Sequence, residues 1–403
     1  MNATEIRATI CLAAVFAARL LGLFIIYPVF AELARGLPGA SPQTIGLALG
    51  GYGLAQGLLQ LPLGVLSDRV PRKTVIAAGL GVFVLGSVVA ALANSIDGII
   101  VGRVLQGAGA VGSTILAAVA DLTREEVRTR AMAAVGVTIG LSFGLAVVLG
   151  PPLAAATGLS GLFWITAALG LAGVAVTLGP TPTPAVSPPR SPAWPSLLGV
   201  LADGELLRLD FAIFVLHALL TASFMVVPAI VSHTLDLGEG GQWKFYLPVL
   251  AAAMALMVPA ILVAETRGRM KEVFVGAVAV IAASLIALAA ARASALVAGV
   301  ALTAFFTAFN VMEAILPSLI TKFARSDAKG AATGVYSTAQ FLGIFAGGVG
   351  GGAALAAGGA TGVFGFAIAL ALVWLAVALT MRRPAPARAA SEATSTGGVS
   401  ARR

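Results

Sequence analysis

Charge is what this sequence has least of. Asp, Glu, Lys and Arg together make up 10% of its 403 residues, where a soluble globular domain carries about 25%. A water-soluble fold of this length would be left without a polar surface. Cysteine and histidine are nearly missing too, with one Cys (Cys11) and two His. A single thiol excludes an intramolecular disulfide, and Cys11, inside an apolar run, reads as inert filler. There is no clustered ligand set for a metal, no nucleophile–base constellation and no phosphate loop, so neither an enzyme nor a directly ATP-driven machine is expected. The single G-x-G-x-x-G, Gly107–Gly112, lies inside an apolar run rather than after a strand, which removes the dinucleotide reading.

Long apolar runs are abundant. Hydrophobic residues make up 59% of the chain and mean hydropathy is +1.00. Residues 131–189 and 330–381 contain no charged side chain at all. About 20 apolar residues cross a bilayer as a helix, so each stretch holds two spans joined by a tight turn. The period-2 pattern of a membrane barrel is missing. An all-α polytopic membrane protein is expected, with spans near 8–34, 44–67, 73–93, 98–121, 131–156 and 159–179. A second set lies near 208–232, 243–264, 272–291, 294–321, 331–356 and 361–381. No cleavable signal precedes the first span. The domains are then 1–179, a proline-rich linker at 180–207 that cannot continue a helix, 208–381, and a disordered tail at 382–403.

The net charge of +8 suggests nucleic acid until the basic residues are placed. With both termini in the cytoplasm, 20 of the 25 Lys and Arg fall on that side and 3 on the other; Arg19 and Arg103 lie within spans. That asymmetry is the positive-inside rule, and nucleic acid is not needed to explain it. The halves also share a spacing. Pro62 is followed by Asp68 and Arg72, and Pro259 at the same distances by Glu265 and Arg269, each time at the end of the half's second span. A duplicated six-span unit with a midplane site is an established transporter architecture.

Between spans 2 and 3 stands GVLSDRVPRK, residues 64–73. It resembles the loop signature of the major facilitator superfamily, Gly-x-Leu-Ala/Ser-Asp-Arg-x-Gly-Arg-Lys, through Gly64, Leu66, Asp68, Arg69, Arg72 and Lys73. Pro71 replaces the usual glycine and reads as a stiffened turn at the start of span 3. The resemblance implies a conformational switch in which Asp68 grips the N-terminus of span 11 when the cytoplasmic side is closed. It also implies that Arg72 pairs with an acid ending span 4, here Asp121. Arg103, Gln106, Gly107 and Gly109 match the family's Arg-x-x-Gln-Gly-x-Gly motif, and Gly150-Pro151 keeps the core of its antiporter signature.

Further runs, among them YGLAQGLLQLPLGVLSDR at 52–69, AFNVMEAILPSLI at 308–320 and GVYSTAQFLG at 334–343, are similar to the YajR-like branch of bacterial drug:proton antiporters. The resemblance implies a monomeric twelve-helix carrier of two six-helix bundles in the inner membrane, exporting hydrophobic or amphiphilic compounds. It implies the proton as coupling ion and no bound cofactor. Carriage of sugars or metabolites, in either direction, is the alternative. YajR-like proteins can carry a soluble domain after span 12; here RRPAPARAASEATSTGGVSARR follows, and regulation through such a domain is not expected.

Polar residues inside spans are the candidate path, because a charge at the bilayer centre is costly and usually faces a cavity. Arg19, Arg103, Glu313 and Asn310 qualify, with Glu313 able to carry a proton or simply to bond a neighbouring helix. Gln56 and Gln60 continue a polar line from Tyr52 to Gly64; Tyr336 and Gln340 form another on span 11, and His217 stands on span 7. Cavity lining and helix–helix hydrogen bonding both account for these rows.

Overall fold

In the computed structural model, residues 1–183, 194–238, 240–290, 294–325 and 328–383 are described. Most of the predicted tail, and residues 184–193 of the linker, lie outside them. The rest is helical. Span 1 consists of α1 (Ala3–Phe24) and α2 (Tyr27–Leu33), and span 2 is α3 (Pro42–Leu66). Span 3 is α4 (Arg72–Leu92), and span 4 is α5 (Ile96–Ala108) with α6 (Gly112–Asp121). Spans 5 and 6 share α7 (Glu125–Leu178), which turns back on itself at Gly158, where φ is 68°. In the second half, α9 (Gly204–Ser223) and α10 (Val227–Leu235) form span 7. Then come α11 (Trp243–Thr266), α12 (Met270–Ala290), α13 (Ala295–Phe323) and α14 (Lys329–Leu379). The last holds spans 11 and 12 around non-helical Gly358 and Gly359.

Nine of the described helical stretches are long and apolar enough to cross a membrane, α7 and α14 each counting once. The shortfall from twelve is those two hairpins and α3, whose glycines and glutamines lower its hydropathy. Several helix starts follow polar caps. Asn2 caps α1 and receives Glu5 in return, Ser41 caps α3 ahead of Pro42, and Asp203 accepts from Glu205 N and Leu206 N to start α9. Such caps satisfy the free N–H groups of a first turn.

Three features depart from the sequence-based expectation. The linker is not wholly irregular: α8, Trp194–Ala202, is helical. It begins once the proline cluster is passed, with Pro195 in the first turn, where proline is tolerated. Span 4 is interrupted at Gly109–Val111, where Gly109 lies against Gly79 and Phe83 too closely to admit a side chain. Spans 1 and 7 are each broken as well, in FIIYP (24–28) and FMVVP (224–228). Both upper helices have proline as their second residue, Pro28 and Pro228, which lacks the N–H and crowds the carbonyl four residues back.

Span 11 packs along span 2 and span 7, span 1 along span 5, and span 8 touches span 5. The contact of spans 2 and 11 is made by glycines. A side chain at Gly46 would collide with the Gly348 carbonyl, at Gly50 with Phe345, and at Gly352 with Pro42 and Gln43. Gly343 and Gly347 do the same service against span 7, at Phe214 and Ala218. The face of the molecule on which the chain starts is called here the terminus face, and the opposite one the far face.

Candidate transport pathway and switch

At the end of span 2 the chain turns through 67–71 and Arg72 opens α4. Its guanidinium gathers three acceptors. Nε donates to Asp121 Oδ2 at 2.8 Å, one NH2 to Asp68 Oδ1 at 2.9 Å, and the other to Ser67 Oγ at 2.6 Å. Arg72 and Asp121 are 9% and 8% exposed, so this ion pair is nearly out of water. Asp68 is bonded to Arg72 in its own half; its expected grip on the start of span 11 is not made among the described residues. Arg69 and Lys73 are exposed or half-exposed at the turn.

The second-half counterpart does not reproduce this arrangement. Glu265 and Arg269 are exposed on either side of Gly268, whose φ is 63°. Among the described residues, Arg269 is in no ion pair with an acid at the end of span 10, as Arg72 is with Asp121. Removing Arg72 strands Asp121. Arg72→Met is expected to destabilise the detergent-solubilised protein by about 3–5 kcal/mol, the usual penalty for one orphaned partner of a buried pair. Arg72→Lys falls between, since one ammonium cannot match the planar fork. Thermal unfolding of the three proteins checks this.

Inside the first half lies a continuous polar network. Arg19 donates to Tyr52 Oη at 2.6 Å and to Gln56 Oε1, and Gln56 Nε2 passes on to Gln60 Oε1 at 2.7 Å. Arg103 donates to Gln106 Oε1 at 2.8 Å and stacks 4.9 Å over the Tyr52 ring; Gln106 Nε2 reaches Ser87 Oγ. Arg19, Gln56, Arg103 and Gln106 are all buried. In this structure Arg103, Gln56 and Gln60 are buried and held by hydrogen bonds within the first-half bundle. Neither arginine has a carboxylate partner among the described residues; hydroxyl, amide and aromatic groups take that place. Gly107 sits so close to the Tyr52 backbone that a side chain would not fit, and this lets spans 2 and 4 bring the network together. Gly150, beside Pro151 in α7, packs in the same manner on Ile25 and Pro28, at the break in span 1.

The second half carries the acidic group. His217 Nδ1 faces the Ile213 carbonyl at 3.2 Å, and Gln340 Nε2 lies 2.9 Å from His217 Nε2. A carbonyl can only accept, so Nδ1 bears the proton and Nε2 accepts from the amide, which makes His217 neutral. Glu313 Oε1 stands 3.7 Å from the same Nε2 with no hydrogen-bond donor, although the side chain keeps 23% exposure. Asn310, one turn away, points its amide at Met254 Sδ. Tyr336 stands one turn from Gln340 on span 11. Spans 7, 10 and 11 thus bring His217, Glu313 and Gln340 together.

Towards the far face these groups meet an aromatic cluster that crosses between the halves. Phe143 of span 5 stacks on Phe309 and meets Phe306 of span 10 and Phe224 of span 7. Phe24 packs edge-on to Phe143, and Tyr27 edge-on to Phe224. The sequence reading passed over these rings. The paired Phe-x-x-x-Pro breaks are the signal that marks two of them. It also passed over Asp210 on span 7, which lies close to the start of its helix yet is 6% exposed.

The chain belongs to the Major Facilitator Superfamily, a family of transporters, whose model matches residues 12–348. It is 45% identical to the inner membrane transport protein YajR of Escherichia coli over 394 residues, covering 95% of this chain and 85% of that protein. A shorter stretch of 130 residues is 32% identical to the methylenomycin A resistance protein of Streptomyces coelicolor, covering 32% of this chain and 27% of that one. Among solved structures, a bacterial homologue of the human lysosomal transporter Spinster matches with a TM-score of 0.74 at 14% identity, over 96% of this chain and 98% of that chain. The fold is that of this superfamily, twelve membrane helices in two six-helix halves, in a family that is not one of enzymes.

Proposed function

We propose that this transporter exports hydrophobic or amphiphilic compounds in exchange for protons, with its terminus face in the cytoplasm. The observation that carries the reading is Glu313, a carboxyl at mid-span with no cation and no hydrogen-bond donor among the described residues, beside neutral His217 and beneath aromatic rings. Such a group binds a proton readily, because leaving it charged there is costly. The rings supply apolar and polarisable contact to a flat, greasy molecule. Asp68, unengaged with span 11, fits a state closed on the far side. The drug-resistance name of the Streptomyces relative adds weight to the cargo class.

The test uses inside-out vesicles with an acid interior, to which lipophilic cations, neutral drugs and sugars are added in turn. Collapse of the pH gradient that needs both the protein and one compound class supports the reading and names the cargo. No collapse with folded protein overturns it.

A further inference from the structure

At the far face a cavity of about 310 Å³ lies where spans 1, 2 and 11 end. That is the size at which ligand pockets begin. Its walls come from both halves: Ala31 and Arg35 from span 1, Ser41, Pro42 and Ile45 from the start of span 2, and Leu355 from span 11. It shares no residue with the aromatic cluster or with the group formed by His217, Glu313 and Gln340.

The lining is sorted by depth. Arg35 and Ser41 stand at the outer end, just past span 1 and just before span 2. Ala31 is one turn deeper than Arg35, Ile45 is one turn deeper than Ser41, and Leu355 lies within a turn of the break at Gly358. The cavity is therefore cationic and polar at its rim and apolar towards the membrane. Arg35 is one of the 3 Lys and Arg on the far side, so orientation in the bilayer does not call for it. Among the described residues it is in no ion pair, although Glu32 precedes it on the same span and Asp97 stands beside Gly39. The first turn of α3, the positive end of that helix, adds to the same field. Next to the cavity, Gly352 meets Pro42 and Gln43. Leu355 thus completes the wall only while spans 2 and 11 are together, as they are here.

We infer that this cavity binds an anionic amphiphile, an acyl chain with a phosphate or carboxylate head, and thereby holds the far ends of spans 2 and 11 together. The Arg35 guanidinium donates to the head, its fork suiting either oxyanion. The upper part of the chain lies along Ala31, Ile45 and Leu355. A ligand that needs walls from both halves binds the joined state better than the parted one, and shifts the balance by that difference. Its source is either a phospholipid of the surrounding bilayer or a free fatty acid.

The test is native mass spectrometry of the full-length protein in detergent, titrated in turn with dioleoyl phosphatidylglycerol, oleate, diolein and inorganic phosphate. One anionic amphiphile per protein is expected to bind first. Uptake of the phospholipid alone or of oleate alone supports the site and names the source; uptake of both supports it with the charged head deciding. No uptake of either anion, equal uptake of neutral diolein, or displacement by inorganic phosphate at matching concentration overturns the inference. Arg35→Gln is expected to weaken binding about tenfold or more, as for loss of a hydrogen bond to a charged group. Lys244→Gln, another exposed far-face cation, is expected to leave binding unchanged; an equal loss there means attraction to surface charge and overturns the site. Leu355→Asp sets a like charge in the second-half wall and is expected to weaken binding about tenfold as well. Binding indifferent to Leu355→Asp puts the anion on span 1 alone and overturns the joining of the halves.

Discussion

Vesicles bearing Glu313→Gln are expected to lose the compound-driven collapse of the pH gradient, by about a hundredfold or more in rate, while still exchanging compound for compound. Glutamine keeps the size and hydrogen-bonding reach of the side chain but cannot bind and release a proton. His217 does not replace it. Its Nδ1 is committed to Ile213 and its Nε2 to Gln340, so a second proton requires the amide to turn over first. Exchange of labelled for unlabelled compound, with no net proton movement, needs only that the carrier reorients. It is therefore retained in Glu313→Gln and fails in a misfolded variant. Equal loss of both activities would mean that Glu313 holds the bundle or the cargo, not the coupling ion.

The second large effect belongs to the seam between spans 2 and 11. A side chain at Gly348 would collide with the Gly46 carbonyl and the Gly50 backbone. Gly348→Leu is expected to force the helices apart and to weaken closure of the far face. Overpacking of this kind costs about 1–3 kcal/mol, which is one to two decades in the balance of two states. The measurement is labelling of Gln43→Cys by a membrane-impermeant maleimide, with Cys11→Ala as background, since Gln43 lies against Gly352. Labelling should rise at least about tenfold. Gly136→Leu is the control, because nothing lies within 4 Å of a side chain placed there. Equal responses would show that the bilayer-facing surface, not the seam, was disturbed.

Much of the architecture was legible because apolar run length is a one-dimensional signal. The turns between spans 5 and 6 and between spans 11 and 12 fall at Gly158 and at Gly358–Gly359, inside the gaps read from sequence. The site was less legible. Arg19 and Arg103 stand out in a hydropathy trace, but that they bond to Tyr52, Gln56 and Gln106 rather than to an acid depends on which spans are neighbours. The glycines of span 11 announce close packing and do not say against what. Asp210 was hidden by its position near a helix start, where an acid looks like an ordinary capping charge. The second-half echo of the switch was legible as spacing alone. Spacing carries Glu265 and Arg269 but not their exposure, which sets them apart from buried Arg72.

The broken spans 1 and 7 have a mechanical consequence. Each half carries an elbow at the same height, between FII and YP in one and FMV and VP in the other. Prolines at such joints remove a backbone tie and let the upper segment leave the axis of the lower one. The Arg19 network and His217 lie below the elbows, whereas α2 and α10, which touch each other, lie above. A gate hinged in this way can yield at the far face while the proton-handling groups beneath it keep their geometry, so that opening and coupling are adjustable by separate sets of residues.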